Sequence, residues 1–248
     1  QIAGAFNEVE GNMKGVQLAM GLNHTHGLNG VQAAFLNVSE GNSSGIQLGL
    51  SNIVTKQFSG IQIGGLFNYA QDLKGFQIGL INASDRSSGI SIGLLNFVQN
   101  GYQKLVANTN ETINTNLLYK NGTPLLYNII VTGANVWNKK KLFAAGLGFG
   151  NELSIFNSLA VNTELTSRYV YLGNSDYLNL LNRLDIGLNI KVTKSFSIMA
   201  GPSLNYYYSD QKNAVEGYDF INDPSHHQLS TNKNFTRWLG WTVGITIF

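Results

Sequence analysis

The chain has 248 residues, a formal net charge of +2 and 12% charged residues, half of the ~25% usual in soluble domains. So small a net charge gives no electrostatic basis for nucleic-acid binding, and the absence of Cys excludes disulfide staples, thiolate metal sites and a Cys nucleophile. With 28 Gly and three Pro, and no run reaching the ~18 apolar residues of a spanning helix, low charge points to a β-barrel, where apolar and polar residues alternate.

From the first residue the chain repeats itself. Gly15, Gly30, Gly45, Gly60 and Gly75 recur every 15 residues, and Gly89 follows after 14. The units read Gly15-Val-Gln-Leu-Ala, Gly30-Val-Gln-Ala-Ala, Gly45-Ile-Gln-Leu-Gly, Gly60-Ile-Gln-Ile-Gly, Gly75-Phe-Gln-Ile-Gly and Gly89-Ile-Ser-Ile-Gly. Each then reaches an Asn at 23, 37, 52, 68, 82 or 96, and Gln1 to Asn7 is a partial first copy, so the array is expected to begin upstream. A period of two puts Ile46, Leu48 and Leu50 on one face and Gln47 and Gly49 on the other, which is strand alternation.

Two architectures can use this repeat. In an antiparallel meander the apolar face meets lipid; in a stacked parallel solenoid it forms the core, with Gln ladders outside. Partners on one face of a hairpin with an even-numbered loop are an odd number of residues apart. The 15-residue spacing meets that condition and favours the meander, although a solenoid also tolerates it. The units at Gly15 and Gly60 carry one extra residue before their Asn, as a bulge would.

Residues 98–124 read as an irregular connection with one strand within 105–118. Longer alternating strands fill 125–248, among them Leu159 to Tyr171, Leu184 to Ile190, Phe196 to Tyr208 and Thr236 to Phe248. These number about six, fewer than the ~8 of the smallest membrane barrels, so the repeats are expected to complete one barrel of about 14 strands. Trp137, Tyr169, Tyr171, Tyr206, Tyr208, Trp238 and Trp241 lie near strand ends, where aromatic girdles belong. The long loop 209–234 is placed on the same side as 138–141 and 172–179, opposite the short turn Thr193-Lys194-Ser195.

The Gly-x-Gln-x-Gly-x-x-Asn units resemble a bacterial surface-repeat family associated with outer-membrane proteins, which implies a location rather than an activity. The terminal Trp241-Thr-Val-Gly-Ile-Thr-Ile-Phe248 resembles the barrel-assembly signal of outer-membrane proteins, although Phe248 is out of phase with Trp241, Val243, Ile245 and Ile247. The fold expected is therefore all-β, an antiparallel transmembrane β-barrel over 1–248 in the bacterial outer membrane.

Glu164, Arg168, Arg183, Asp185 and Lys191 fall on the face opposite the apolar one. They form a lumen charge cluster, either an ion-selecting constriction or a salt-bridge network filling the barrel. Pairing Tyr171 with Leu180 sets Arg168 opposite Arg183. Tyr218, Phe220 and Ile221 in loop 209–234 suggest a docking surface for another envelope protein. His24 and His26, like His226 and His227 near Asp219 and Asp223, find no convincing ligand set. The run Lys139-Lys140-Lys141 reads as a solvated loop. No acid, base and nucleophile arrangement is visible, and no cofactor, metal or nucleic acid is assigned. The function expected is a non-enzymatic structural or accessory subunit of a cell-envelope assembly, with a passive pore as the alternative.

Overall fold

The computed structural model describes residues 1–221, 228–232 and 234–247, the middle stretch by its backbone alone. Among them there is no helix, hence none long and apolar enough to cross a membrane. The repeats contribute β1 (Ile2–Ala3), β2 (Phe6–Ala19), β3 (Leu22–Ala33), β4 (Leu36–Ser39), β5 (Ser43–Leu73), β6 (Phe76–Ser87), β7 (Ile90–Ile92) and β8 (Leu95–Val98). Then follow β9 (Tyr102–Asn110), β10 (Thr115–Gly122), β11 (Tyr127–Ala134), β12 (Phe143–Phe156), β13 (Leu159–Tyr171), β14 (Asn179–Lys191), β15 (Phe196–Ser209), β16 (Gln228–Asn232) and β17 (Phe235–Ile247). The chain divides into two compact units, residues 1–102 with 121–126, and residues 103–120 with 127–248.

The first unit is a parallel solenoid, which overturns the expected meander. Successive coils stack in register, Gly15 on Gly30, Val16 on Val31 and Gln17 on Gln32, then Gln32 on Gln47 and Asn37 on Asn52. The extra residue expected in the Gly60 unit is a bulge between Gly64 and Phe67. Recurrent Gly has a steric cause. Gly30, Gly45 and Gly60 have φ of 150°, 117° and 153°, and a Cβ on any of them would lie 1.9 Å from the carbonyl oxygen of the Gly one coil below. Only Gly permits coils to stack at this corner.

The unit also inverts the core expected of a solenoid. Gln17, Gln32, Gln47, Gln62 and Gln77 are fully buried, as are Asn23, Asn37, Asn52, Asn68 and Asn82, while Val16, Ile46, Ile63, Phe76 and Ile78 are exposed. Gln32, Gln47, Gln62 and Gln77 each donate from Nε2 to the Gln Oε1 one coil earlier at 2.8 Å. The Asn ladder donates the opposite way, Asn37 to Asn52, Asn52 to Asn68 and Asn68 to Asn82, each at 2.8 Å. Every one of these Asn Nδ2 groups also donates to a main-chain carbonyl, such as Leu48, Ile63 or Ile78, beside the corner. An amide core is stable here because both hydrogens of each Asn are used. A small apolar cluster, Val54, Phe58, Ala70 and Leu73, fills the remaining side.

The second unit is a closed barrel of eight strands, β9 through β15 and β17, with β15 and β9 both paired to β17. This corrects the count of about 14. Residues 98–124 hold two barrel strands rather than one, because Asn110 folds the chain back. Its Oδ1 accepts the main-chain N–H of Thr112 at 3.0 Å and of Ile113 at 2.8 Å, a side-chain turn typical of Asn. With β9 and β10 supplied, the C-terminal strands close without the repeats. Along β14, Leu181, Arg183, Asp185 and Asn189 point inward, while Ile186, Leu188 and Ile190 are exposed outside. Turns 157–158 and 192–195 are short, and 135–142, 172–178 and 210–221 lie at the opposite end, as expected.

Candidate functional site in the barrel interior

Eight strands leave an interior just wide enough for side chains to fill, and here they fill it in layers. At the long-loop end Ile113, Leu142, Val170, Leu172, Leu181, Tyr207, Ile221 and Trp238 form a buried apolar cluster. Charged and amide side chains occupy the layers beneath it.

Glu111, on the turn between β9 and β10, reaches furthest into the network. Its Oε1 accepts Arg183 Nη1 at 2.8 Å, Trp238 Nε1 at 3.0 Å and Asn205 Nδ2 at 3.0 Å, and its Oε2 accepts the Trp241 main-chain N–H at 2.9 Å. Burial alone would raise its pKa, but the Arg183 charge and the N–H donors of Trp241 and Trp238 outweigh it and hold the carboxyl below its ordinary value. Arg183, fully buried, also donates from Nη2 to Asp185 Oδ1 at 3.1 Å and Ser203 Oγ at 2.9 Å. Asp185 accepts in addition from Thr242 Oγ1 at 2.6 Å.

Arg168 donates to Asn116 Oδ1 at 3.0 Å and to Thr166 Oγ1 at 3.3 Å. Lys120 pairs with Glu164, which also accepts Tyr127 Oη at 2.8 Å and Asn162 Nδ2 at 3.2 Å. Nearest the short turns, Lys104 Nζ lies 2.7 Å from Glu152 Oε2, and Asn189 Nδ2 donates to the same oxygen at 3.3 Å. Four cations, Lys104, Lys120, Arg168 and Arg183, thus face four anions, Glu111, Glu152, Glu164 and Asp185. Arg183 takes two of these carboxylates and Arg168 is held by neutral partners, so that the charges balance in number among the described residues.

Four of the five residues expected in the lumen cluster meet there. Lys191 does not; it is exposed at the end of β14. Arg168 faces Leu181 and Arg183 faces Thr166, because Leu180 pairs with Tyr169 rather than Tyr171. This two-residue shift keeps every side chain on its expected face and replaces the Arg–Arg opposition with Glu164 opposite Asp185. The reason lies at the strand end, where Leu172 turns into the apolar cluster and pairing stops early. Glu111, Lys104, Lys120 and Glu152 went unforeseen. Lys104 and Lys120 share the inward phase of their strands, which was legible only once two strands replaced one.

The three residues expected to dock a partner differ in exposure. Ile221 is buried in the apolar cluster, Tyr218 packs edge-on against Tyr171 with ring centroids 5.5 Å apart, and Phe220 is half-buried. Trp238, placed with the girdle aromatics, points inward instead. His24 meets carboxylates that its own strand lacks, Glu40 at 3.1 Å and Glu8 at 3.6 Å from neighbouring coils, yet no set of three or more metal-ligating side chains forms among the described residues. His226, His227 and Asp223 lie outside them, as does Phe248.

These features define a closed, side-chain-filled β-barrel with a polar network as its interior. No family model matches the chain, and no curated protein matches it. Among solved structures, a chain described as "De novo design of transmembrane beta-barrels" aligns with 58% of this chain and 91% of its own, at 12% identity and a TM-score of 0.35. So slight a similarity bears on neither role nor site.

Proposed function

We propose that the protein is an occluded, non-catalytic β-barrel of the bacterial outer membrane, acting as a structural or accessory component of the cell envelope. The observation that carries this reading is the interior: four cations and four anions are held in hydrogen bonds and largely buried, Arg183 by two carboxylates and Arg168 by Asn116 and Thr166, with Ile221 and its neighbours packed over one end. Such an interior leaves no aqueous path for a solute. Support for a membrane setting comes from outside the barrel, where Leu147, Leu165, Ile186, Leu188, Val243 and Ile245 are exposed on strands mostly long enough for the ~9–11 residues that span a bilayer. At the long-loop end Tyr206, Tyr208 and Phe235 pack together on the barrel wall, the composition of an interfacial girdle. The repeat resemblance belongs to the same proposal.

Purified protein is expected to require detergent, to migrate faster unboiled than boiled on a mild-detergent gel, and to give no steady conductance in planar bilayers. Arg183→Glu is expected to abolish the fast-migrating form rather than to alter any ion preference. Large, stable channels whose selectivity follows that substitution would establish a pore and overturn the reading.

A further inference from the structure

Charge is segregated around the solenoid. Within residues 1–100 every Asp, Glu, Lys and Arg lies at positions 8–14, 40, 56, 72–74 or 85–86, all on one side of the coil. The segments 15–23, 30–39, 45–54, 60–70, 75–84 and 89–98 contain none. In each of these the chain runs along one strand, turns a corner and starts another, with Gln and Asn inside and aliphatic or aromatic side chains outside. Met20, Phe35, Leu50, Leu66, Leu80 and Leu94 occupy the corner. Phe35 stacks on Met20 and Leu50 on Phe35 through main-chain bonds of 3.2 and 3.0 Å. Met20 is 81% and Phe35 63% exposed.

We propose that this ridge is a lipid-binding wedge: the solenoid lies in one leaflet of a bilayer, corner row deepest among the acyl chains and charged side in water. Geometry sets the depth. Strand segments of about five residues on either side of the corner reach ~16 Å, close to half of the ~30 Å hydrocarbon core, so the wedge fits a single leaflet and does not span. Chemistry sets the occupant. The interior is already filled by amides, so the apolar side chains have no protein core to enter, and an apolar ridge this long is unstable in water. The ridge is also convex. Two copies would touch only along a line, whereas acyl chains conform to any outline. Inside such a ridge the amide ladders cost little, because each hydrogen bond is made within the solenoid and strengthens as the surroundings become less polar.

The wedge rests on the solenoid alone, and its test separates it from the barrel reading. The chain has no Cys, so the full-length protein takes single-cysteine variants. An environment-sensitive fluorophore is attached at Phe35→Cys, Leu80→Cys, Lys56→Cys or Leu188→Cys, and each protein is reconstituted in phosphatidylcholine vesicles with or without acyl-chain nitroxide lipid. Emission at Phe35 and Leu80 is expected to be lost to nitroxide lipid and to resist aqueous iodide, and Lys56 to do the reverse. Leu188, outside the barrel, reports on the barrel separately. If Leu188 is quenched by nitroxide while both corner labels respond to iodide, or to neither quencher, the wedge is overturned and the barrel stands. Should the corner labels be quenched and Leu188 not, the barrel reading fails and the wedge holds.

Discussion

Asn52 shows how much one amide side chain does in this fold. Its Nδ2 donates to Asn68 Oδ1 and to the Ile63 carbonyl, and its Oδ1 accepts from Asn37. The Ile63 carbonyl lies where the coil turns from one strand to the next, so the side chain replaces a rung that the backbone cannot make. Asn is the right length for this. Gln, two positions after each Gly, bridges to its like in adjacent coils and reaches a main-chain carbonyl only at 3.2–3.3 Å, as from Gln62 to Tyr69 and Gln77 to Ala83. Replacing Asn52 by Leu keeps the volume but leaves three buried polar groups unpaired, each worth about 1–3 kcal/mol. Asn52→Leu is therefore expected to destabilise the solenoid by about 3 kcal/mol or more, measured by urea unfolding in detergent, whereas Ile53→Leu, changing only the outer face, is expected to leave it within ~0.5 kcal/mol.

Between elements, barrel closure depends on the seam where the first and last strands meet. The β9–β17 ladder runs only from Leu105 with Ile247 to Asn110 with Thr242. Beyond Thr242 it is Glu111 that continues the contact, taking the Trp241 main-chain N–H and the Trp238 indole N–H. Because its folded pKa is depressed, its contribution is full above the unfolded carboxyl value and is lost as pH falls through the folded one. Barrel stability is thus expected to decline on acidification below about pH 4.5, the ordinary Glu value. Glu111→Gln is expected to cost about 3 kcal/mol at neutral pH, since it leaves a buried Arg183 less compensated, and to flatten that acid decline; an unchanged pH profile would count against the seam role. This residue was not legible in advance. Alternation identifies β13, β14, β15 and β17, and the inward charges of β13 and β14, because each strand has a long period-two pattern. The segment 98–124 has short strands and a turn made by a side chain, so periodicity reports one strand where two exist and assigns no face to the Glu at the turn.

At the scale of the molecule, the miscount of strands and the wrong architecture for the repeats have one origin. With one strand too few in 98–124 the C-terminal strands cannot close, so the repeats are drawn into their barrel; hairpin parity permits it, and a solenoid is expected to hold an apolar core with Gln outside. Yet identical residues at one phase, Gly above Gly, Gln above Gln and Asn above Asn, are what in-register parallel stacking requires, and a hairpin has no use for such identity. The two units that result share one chain but different sources of stability, amide ladders in one and ion pairs with an apolar end cluster in the other. Residues 121–126, the end of β10 and the turn to β11, belong to the solenoid unit, where Asn121 Oδ1 accepts the Val98 main-chain N–H at 3.2 Å. Proteins of this kind do not unfold in one step. Unfolding followed by barrel tryptophan fluorescence and by far-ultraviolet dichroism is expected to give two transitions. Trp137, Trp238 and Trp241, the chain's three tryptophans, all lie in the barrel unit, so fluorescence reports the barrel alone. Asn52→Leu is expected to shift only the dichroism transition that fluorescence does not see, and Glu111→Gln only the one that it does, with the double variant additive within ~0.5 kcal/mol. A single transition moved equally by both substitutions would mean that the solenoid and barrel fold as one cooperative body.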